Sequence, residues 1–214
     1  MSCEQLRQGL NLDCVSVSKK YYQQVVLVNR ADILNKRIVT SRIDIEENYD
    51  CYNRVFFNLI DSRSGFRFTI NENSSSIFGT FEKTMIENIP QYNHSVNIVV
   101  LGVSEAIKCL FTQLDYSDYF AVCQYYDGTI EVFGFEFGLS TANYNYDPHN
   151  GSGGAVIKLN SLNDSLEDLP PLIYKSSRDT EQEDFDNNFQ DVIFDINGDF
   201  NNDFNDDFNN QEII

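Results

Sequence analysis

The chain has no tryptophan, two histidines and four prolines in 214 residues. So little imidazole leaves few candidates for acid–base work near neutral pH. Neither His94 nor His149 stands near a Ser, Cys or Asp in a nucleophile motif. A Cys51–His94 pair stays open, because such partners meet in space rather than along the chain. His149 follows Asp147 and Pro148 and reads as a turn residue. Cations are also scarce: 15 Lys+Arg against 33 Asp+Glu leave a net charge of −18. Binding to nucleic-acid backbone or to anionic membrane needs clustered cations, so both are disfavoured. There is no apolar run long enough for a transmembrane helix. The first ten residues, with Glu4, Gln5, Arg7 and Gln8, lack the apolar centre of a secretory signal, so export by that route is not expected. The five cysteines are odd in number, widely spaced and without a CxxC, which points to reduced thiols rather than disulfides or zinc.

The remaining motifs carry little chemistry. Residues 151–154 (GSGG) lack the GK[ST] of a phosphate loop, and Lys158 falls in an apparent strand. Residues 195–199 (DINGD) place Gly198 too early for an EF-hand, and Asp206 stands where Glu is required. Acid pairs such as Glu46-Glu47 and Asp206-Asp207 read as solvated. The Asn-x-Ser matches at Asn73, Asn93, Asn150 and Asn163 are chance matches in an Asn-rich chain. No reaction, metal or cofactor is expected.

What is present is β-structure. Residues 24–29 (QVVLVN) form an apolar run, and 37–45 alternate. Residues 55–60 and 66–70 flank a turn cluster at 61–65, which predicts a hairpin. Residues 76–87 and 96–103 continue the pattern. Residues 119–126 and 129–137 flank Asp127-Gly128, the clearest hairpin, with a primed two-residue turn expected. Residues 155–159 read as the last strand. One segment has helical period: Ile107, Leu110, Phe111 and Leu114 share a face, with Ser104 at the N-cap and Glu105 in the first turn. The expected fold is therefore mainly β, an antiparallel sandwich or barrel flanked by one amphipathic helix.

Composition divides the chain near residue 175. Residues 179–214 hold 12 acids and no base, and 1–178 hold the other 21 acids with all 15 bases. The division gives a β domain at 1–175 and an acidic, low-complexity tail at 176–214. In the tail Phe185, Phe189, Phe194, Phe200, Phe204 and Phe208 recur between Asp and Asn. Few aliphatic residues and high charge argue against an independent core, and Asp, Asn and Gly oppose helix. The tail is expected to be disordered alone or to order on a partner, with the phenylalanines as anchors and the acids as spacers.

Several segments resemble the tail-tube proteins of tailed phages and prophages of Bacteroidetes. The first is a Cys-containing lead with Cys3, Leu6, Gly9, Leu10, Asp13 and Cys14, followed by 25–32 (VVLVNRAD) and Ile33. The second runs through 120–138 (FAVCQYYDGTIEVFGFEFG), Leu139, the Gly loop 151–154, 156–162, and Glu167-Asp168-Leu169-Pro170. The Tyr/Asn-rich loop after Gly138, Leu169 before Pro170 and the tail after Lys175 depart from the pattern. The resemblance covers roughly 1–175 and implies a tail-tube module. About six copies would close into a ring whose stacked lumen carries viral DNA without specific binding. The chain would then be a virion tail protein assembled in the host cytoplasm, either a tube repeat or a connector or terminator. Its partners would be itself and other tail or connector proteins, with no membrane. By the same analogy Glu46, Glu47, Tyr49, Asp50 and Tyr52, in an extended loop around 46–53, would contact the next ring. A second reading is a β-sandwich binding module for carbohydrate or protein, with Tyr125, Tyr144 and Tyr146 as a platform. An enzyme is the third and least supported reading.

Overall fold

The computed structural model describes residues 22–45, 48–69, 77–101, 105–146, 154–162, 164–176 and 180–192. Among them the elements are β1 (Tyr22–Asn29), β2 (Ile33–Ile45), β3 (Asn48–Leu59), β4 (Phe66–Thr69), β5 (Ile77–Ile86) and β6 (Ile89–Leu101). Then follow α1 (Glu105–Leu114), β7 (Tyr119–Tyr125), β8 (Ile130–Phe133), β9 (Leu139–Tyr146), β10 (Gly154–Ser161), β11 (Leu172–Tyr174) and α2 (Glu181–Asp186).

The fold is mainly β, and its centre is a closed barrel. β1 pairs with β7, β7 with β9 at Tyr119–Leu139, β9 with β10, β10 with β6 and β6 with β5. β5 returns to β1 at Tyr22–Ile77, and every pairing in this circuit is antiparallel. β4 extends from β1, while β8, β11, β3 and β2 extend in turn from β7. The architecture is therefore a barrel with a sheet grown out of it, rather than two facing sheets.

β1 and β7 belong to both parts, which accounts for their unbroken apolar sequences. Side chains alternate along a strand, so Val25, Leu27, Ala121 and Cys123 enter the barrel, while Val26, Val28, Phe120 and Val122 enter a second core. Barrel and second core are each filled. Leu27, Ile98, Ile157 and Leu159 occupy the first, and Phe57, Phe120, Phe135 and Tyr174 the second. A barrel of this size has room only for its own side chains, so it is a packed core and not a channel.

α1 forms where the helical period predicts. It joins the end of β6 to the start of β7 and packs Leu110, Phe111 and Leu114 against the barrel core. Ser104 lies outside the described residues.

Several strand boundaries differ from expectation, each for a local reason. β3 does not pair with β4. It pairs with β2 along its length, and β4 pairs with β1. The cluster at 61–65 is therefore a crossing and not a hairpin turn, and the Gly65 N–H donates to the Asn188 carbonyl, 2.8 Å away. β5 and β6 form a tight hairpin at Glu87 and Asn88, both left-handed at φ +50 and +67. The β7–β8 hairpin forms, but only Gly128 is left-handed (φ +85), and Gly128 N–H donates to the Tyr125 carbonyl at 3.1 Å. That is a type I turn followed by a glycine bulge, not a primed two-residue turn. β8 stops at Phe133 because Gly134 and Gly138 turn the chain at φ +68 and +96. Much of the polar stretch after Gly138 is strand β9. β10 is followed by β11, which runs parallel to β3.

The ordered body continues past residue 175. Thr180 and Glu183 form a capping box that starts α2, and Phe185 and Phe189 are fully buried in the second core. Helix forms against poor propensity because the capping box satisfies its first N–H groups and each fully buried phenylalanine contributes about 1.5–3 kcal/mol.

Candidate assembly surface

The two segments that carry the resemblance meet in space. Residues 134–138 (GFEFG) make a loop between β8 and β9 that is gripped from two sides. Glu167, buried, accepts from the N–H groups of Glu136 and Phe137 at 2.9 Å each. The Arg30 guanidinium donates to the carbonyls of the same two residues. A carboxylate therefore holds the donors and a guanidinium the acceptors of one short backbone stretch. Burial pushes the Glu167 carboxyl above its usual range, and the loop N–H groups oppose that shift. The Glu167 backbone also pairs with Tyr92 on β6, by N–H to carbonyl bonds of 2.8 and 3.0 Å.

His94 supports the other end of this loop. Its Nδ1 accepts from the Gly134 N–H at 3.0 Å, which leaves Nε2 to donate to the Leu169 carbonyl at 3.1 Å. Burial between the Phe81 and Phe133 rings lowers its pKa to about 4. Both ring nitrogens are thus engaged with backbone, and His94 is a neutral brace. The side chain of Cys51 and the whole of His149 lie outside the described residues.

A second polar cluster lies at the barrel end near Tyr22. Tyr22 and Tyr125 stack with centroids 4.3 Å apart, and both hydroxyls donate to Glu131 Oε2. Burial pushes the Tyr22 hydroxyl far up, and Tyr125 to about 12. Tyr125 is therefore tied into the wall rather than held out as a platform. Tyr144 and Tyr146 stand on β9, with side chains outside the described residues. An open, polar groove of about 380 Å³ lies beside Asn29, Arg30, Asp115, Ser117, Asp118 and Ser140. Among the described residues no group of His, Cys, Asp or Glu is arranged to hold a metal ion.

The most conspicuous surface is the outer part of the β5–β6 hairpin. β10 pairs with β6 only over residues 95–101, and from 80 to 90 every residue is exposed. That stretch presents Phe81, Met85, Ile86 and Ile89, at 43–59% exposure. A two-stranded ribbon with neither face covered is marginal in water by itself. By strand alternation Phe81 and Met85 share one face and Ile86 and Ile89 the other, so both faces of the ribbon carry uncovered apolar side chains, which makes it a candidate contact surface.

The β2–β3 hairpin makes a second arm. Its strands pair from Ile33–Leu59 out to Ile45–Asn48, while β11 covers β3 only at Arg54 and Val55. Of the residues assigned to stacking, Tyr49, Asp50 and Tyr52 are on β3 near the end of this arm, so their stretch is strand rather than loop. Glu46 and Glu47 lie outside the described residues. Of the tail phenylalanines, Phe185 and Phe189 anchor to the chain's own second core, and Phe194, Phe200, Phe204 and Phe208 lie outside the described residues. Sequence reasoning places Arg30 and Glu167 in the resembling segments but gives them no role, because their partners lie 30 to 107 positions away, and it misses Asp184, which meets Tyr174. It also missed the β5–β6 arm, whose turn is Glu-Asn rather than the usual Asn-Gly.

Among described residues no helix is long and apolar enough to cross a membrane. No protein-family model, curated protein or solved structure matches the chain.

Proposed function

We propose that this chain is a structural subunit of a phage tail, which closes with further copies into a ring lining the path of the viral DNA. The observation that carries the self-assembly is the β5–β6 arm, an apolar ribbon standing off the barrel with Phe81, Met85, Ile86 and Ile89 uncovered. Arms that leave one subunit and end on the next make head-to-tail contacts, which close into rings when the rotation allows. The β2–β3 arm, with Tyr49, Asp50 and Tyr52, supplies the contact between rings. The lumen is formed between subunits, because the barrel of each subunit is filled by its own side chains. The net charge of −18 suits a passage that repels phosphates and lets DNA slide.

The test is mass photometry of the purified protein over a concentration series, with negative-stain images of the same samples. Rings or short tubes are expected. Met85→Glu with Ile89→Glu is expected to hold the protein as a monomer with an unchanged circular dichroism spectrum. A wild type that is monomeric at every concentration and absent from tail particles sinks the reading.

A further inference from the structure

The tail segment seated on the body is a short motif, and the chain carries it again. Residues 184–189 read DFDNNF, residues 199–204 read DFNNDF and residues 203–208 read DFNDDF. All three fit Asp-Phe, three Asp or Asn, then Phe. Four residues before each motif stands a residue type that suits an N-cap: Thr180, which caps α2, and Asp195 and Asp199.

The seated copy shows what each position does. Phe185 and Phe189 are fully buried with ring centroids 5.8 Å apart, and Phe189 packs tilted against Phe57 and edge-on against Tyr174, at 5.0 and 5.1 Å. The Tyr174 hydroxyl donates to Asp184 at 2.7 Å. Arg67 closes the cradle: its guanidinium lies over the Phe185 ring, donates to the Phe185 carbonyl and to Asn188 Oδ1, and faces the Asp186 carboxylate at 3.6 Å. Asn188 is left-handed at φ +53, a conformation that Asn and Asp tolerate best among residues with a side chain.

The two further copies carry matching residue types at most of these positions. Asp199 and Asp203 stand for Asp184, and the phenylalanine pairs are 200 with 204 and 204 with 208. Asp203 and Asp207 stand for Asn188, and Asp also tolerates the left-handed conformation and offers a side-chain oxygen that could accept from Arg67. Asn201 and Asn205 stand for Asp186. In 199–204 the second carboxylate has moved two positions with the number of acids unchanged, and 203–208 carries one acid more, Asp206.

We propose that residues 199–208 are spare copies of the clasp and that they occupy the same cradle in a second copy of this chain, displacing its residues 184–189. Their own cradle is filled by the nearer motif. Exchange conserves the contacts, so what decides it is effective concentration, which reaches the millimolar range when two subunits are held side by side. The tail then links neighbours in the manner of a domain swap. The exchange needs two copies in contact and does not depend on what they build.

Two measurements on the full chain test it. Asp186→Asn with Asn188→Asp turns the seated motif into DFNNDF, and its thermal midpoint is expected within about 2 °C of wild type. A drop as large as that of Phe189→Ala means the spare sequence does not fit and overturns the proposal. In the second, a photoreactive benzoylphenylalanine replaces Phe204, and heavy- and light-isotope chains are mixed before illumination. Heavy–light adducts between position 204 and peptides carrying Phe57, Arg67 or Tyr174 are expected. Adducts confined to one chain, adducts elsewhere, or none overturn it.

Discussion

Glu167 holds the loop 134–138 by giving two backbone N–H groups their acceptor. Replacing it with Ala leaves those donors without their partner in a buried place, which is expected to cost roughly 2–4 kcal/mol. Glu167→Gln keeps one acceptor oxygen and is expected to lose about half of that. Urea denaturation of the three proteins checks the order. His94 makes a pH prediction of definite sign. Its folded pKa of about 4 lies below the ordinary 6.5, so between these values the native state holds fewer protons than the unfolded chain. Its contribution to stability is present above 6.5 and is lost as the pH falls toward 4, to an extent of about 3 kcal/mol. Glu167 runs the other way: its raised pKa makes its contribution greatest in acid and lost as the pH rises through the folded value. Denaturation at pH 7 and pH 5 should show a smaller loss for His94→Gln than for wild type. Equal losses would show that His94 is not the titrating brace.

At the scale of elements, the segment 180–192 and the segment 193–214 have different roles in stability. The first closes the second core with Phe185 and Phe189 and is tied down by Arg67 and Tyr174. Ending the chain after Ser176 uncovers Phe57 and Tyr174, and the midpoint is expected to collapse. Ending it after Val192 leaves every described contact in place, so the midpoint should stay within about 1 °C. Phe189→Ala alone is expected to cost about 3–5 kcal/mol. Thermal scans of the three proteins decide, and a chain cut after Ser176 that melts like wild type would mean the tail only rests on the body. The β5–β6 arm is the opposite kind of element. Phe81 leans on His94, but Met85, Ile86 and Ile89 are exposed near the tip, so substitutions at these three should alter association while moving stability by less than about 0.5 kcal/mol.

At the scale of the whole molecule, apolar attraction and charge repulsion oppose each other. The apolar arm favours association, and a net charge of −18 per copy resists it. Salt screens the second without weakening the first. Mass photometry at rising sodium chloride should therefore show association increasing. A decrease would mean that ion pairs, rather than apolar contacts, hold the copies together.

The sequence by itself determined the β-rich class, α1 and the β7–β8 hairpin, because each is written in local periodicity or in a turn residue. It marked β1 and β7 as strands without showing that each serves two cores, since an unbroken apolar run carries no record of which face meets what. Composition set the tail apart at residue 175, because charge and low complexity are averages over a window. It could not register that two phenylalanines in that window have a cavity waiting for them. Tertiary structure alone decided that the barrel closes, since closure rests on two short pairings, Tyr22–Ile77 and Tyr119–Leu139, between residues far apart in sequence. It alone placed Glu167 and Arg30 on the same five-residue loop and uncovered the β5–β6 arm. Burial, pairing and charge at those places depend on what the rest of the chain brings alongside.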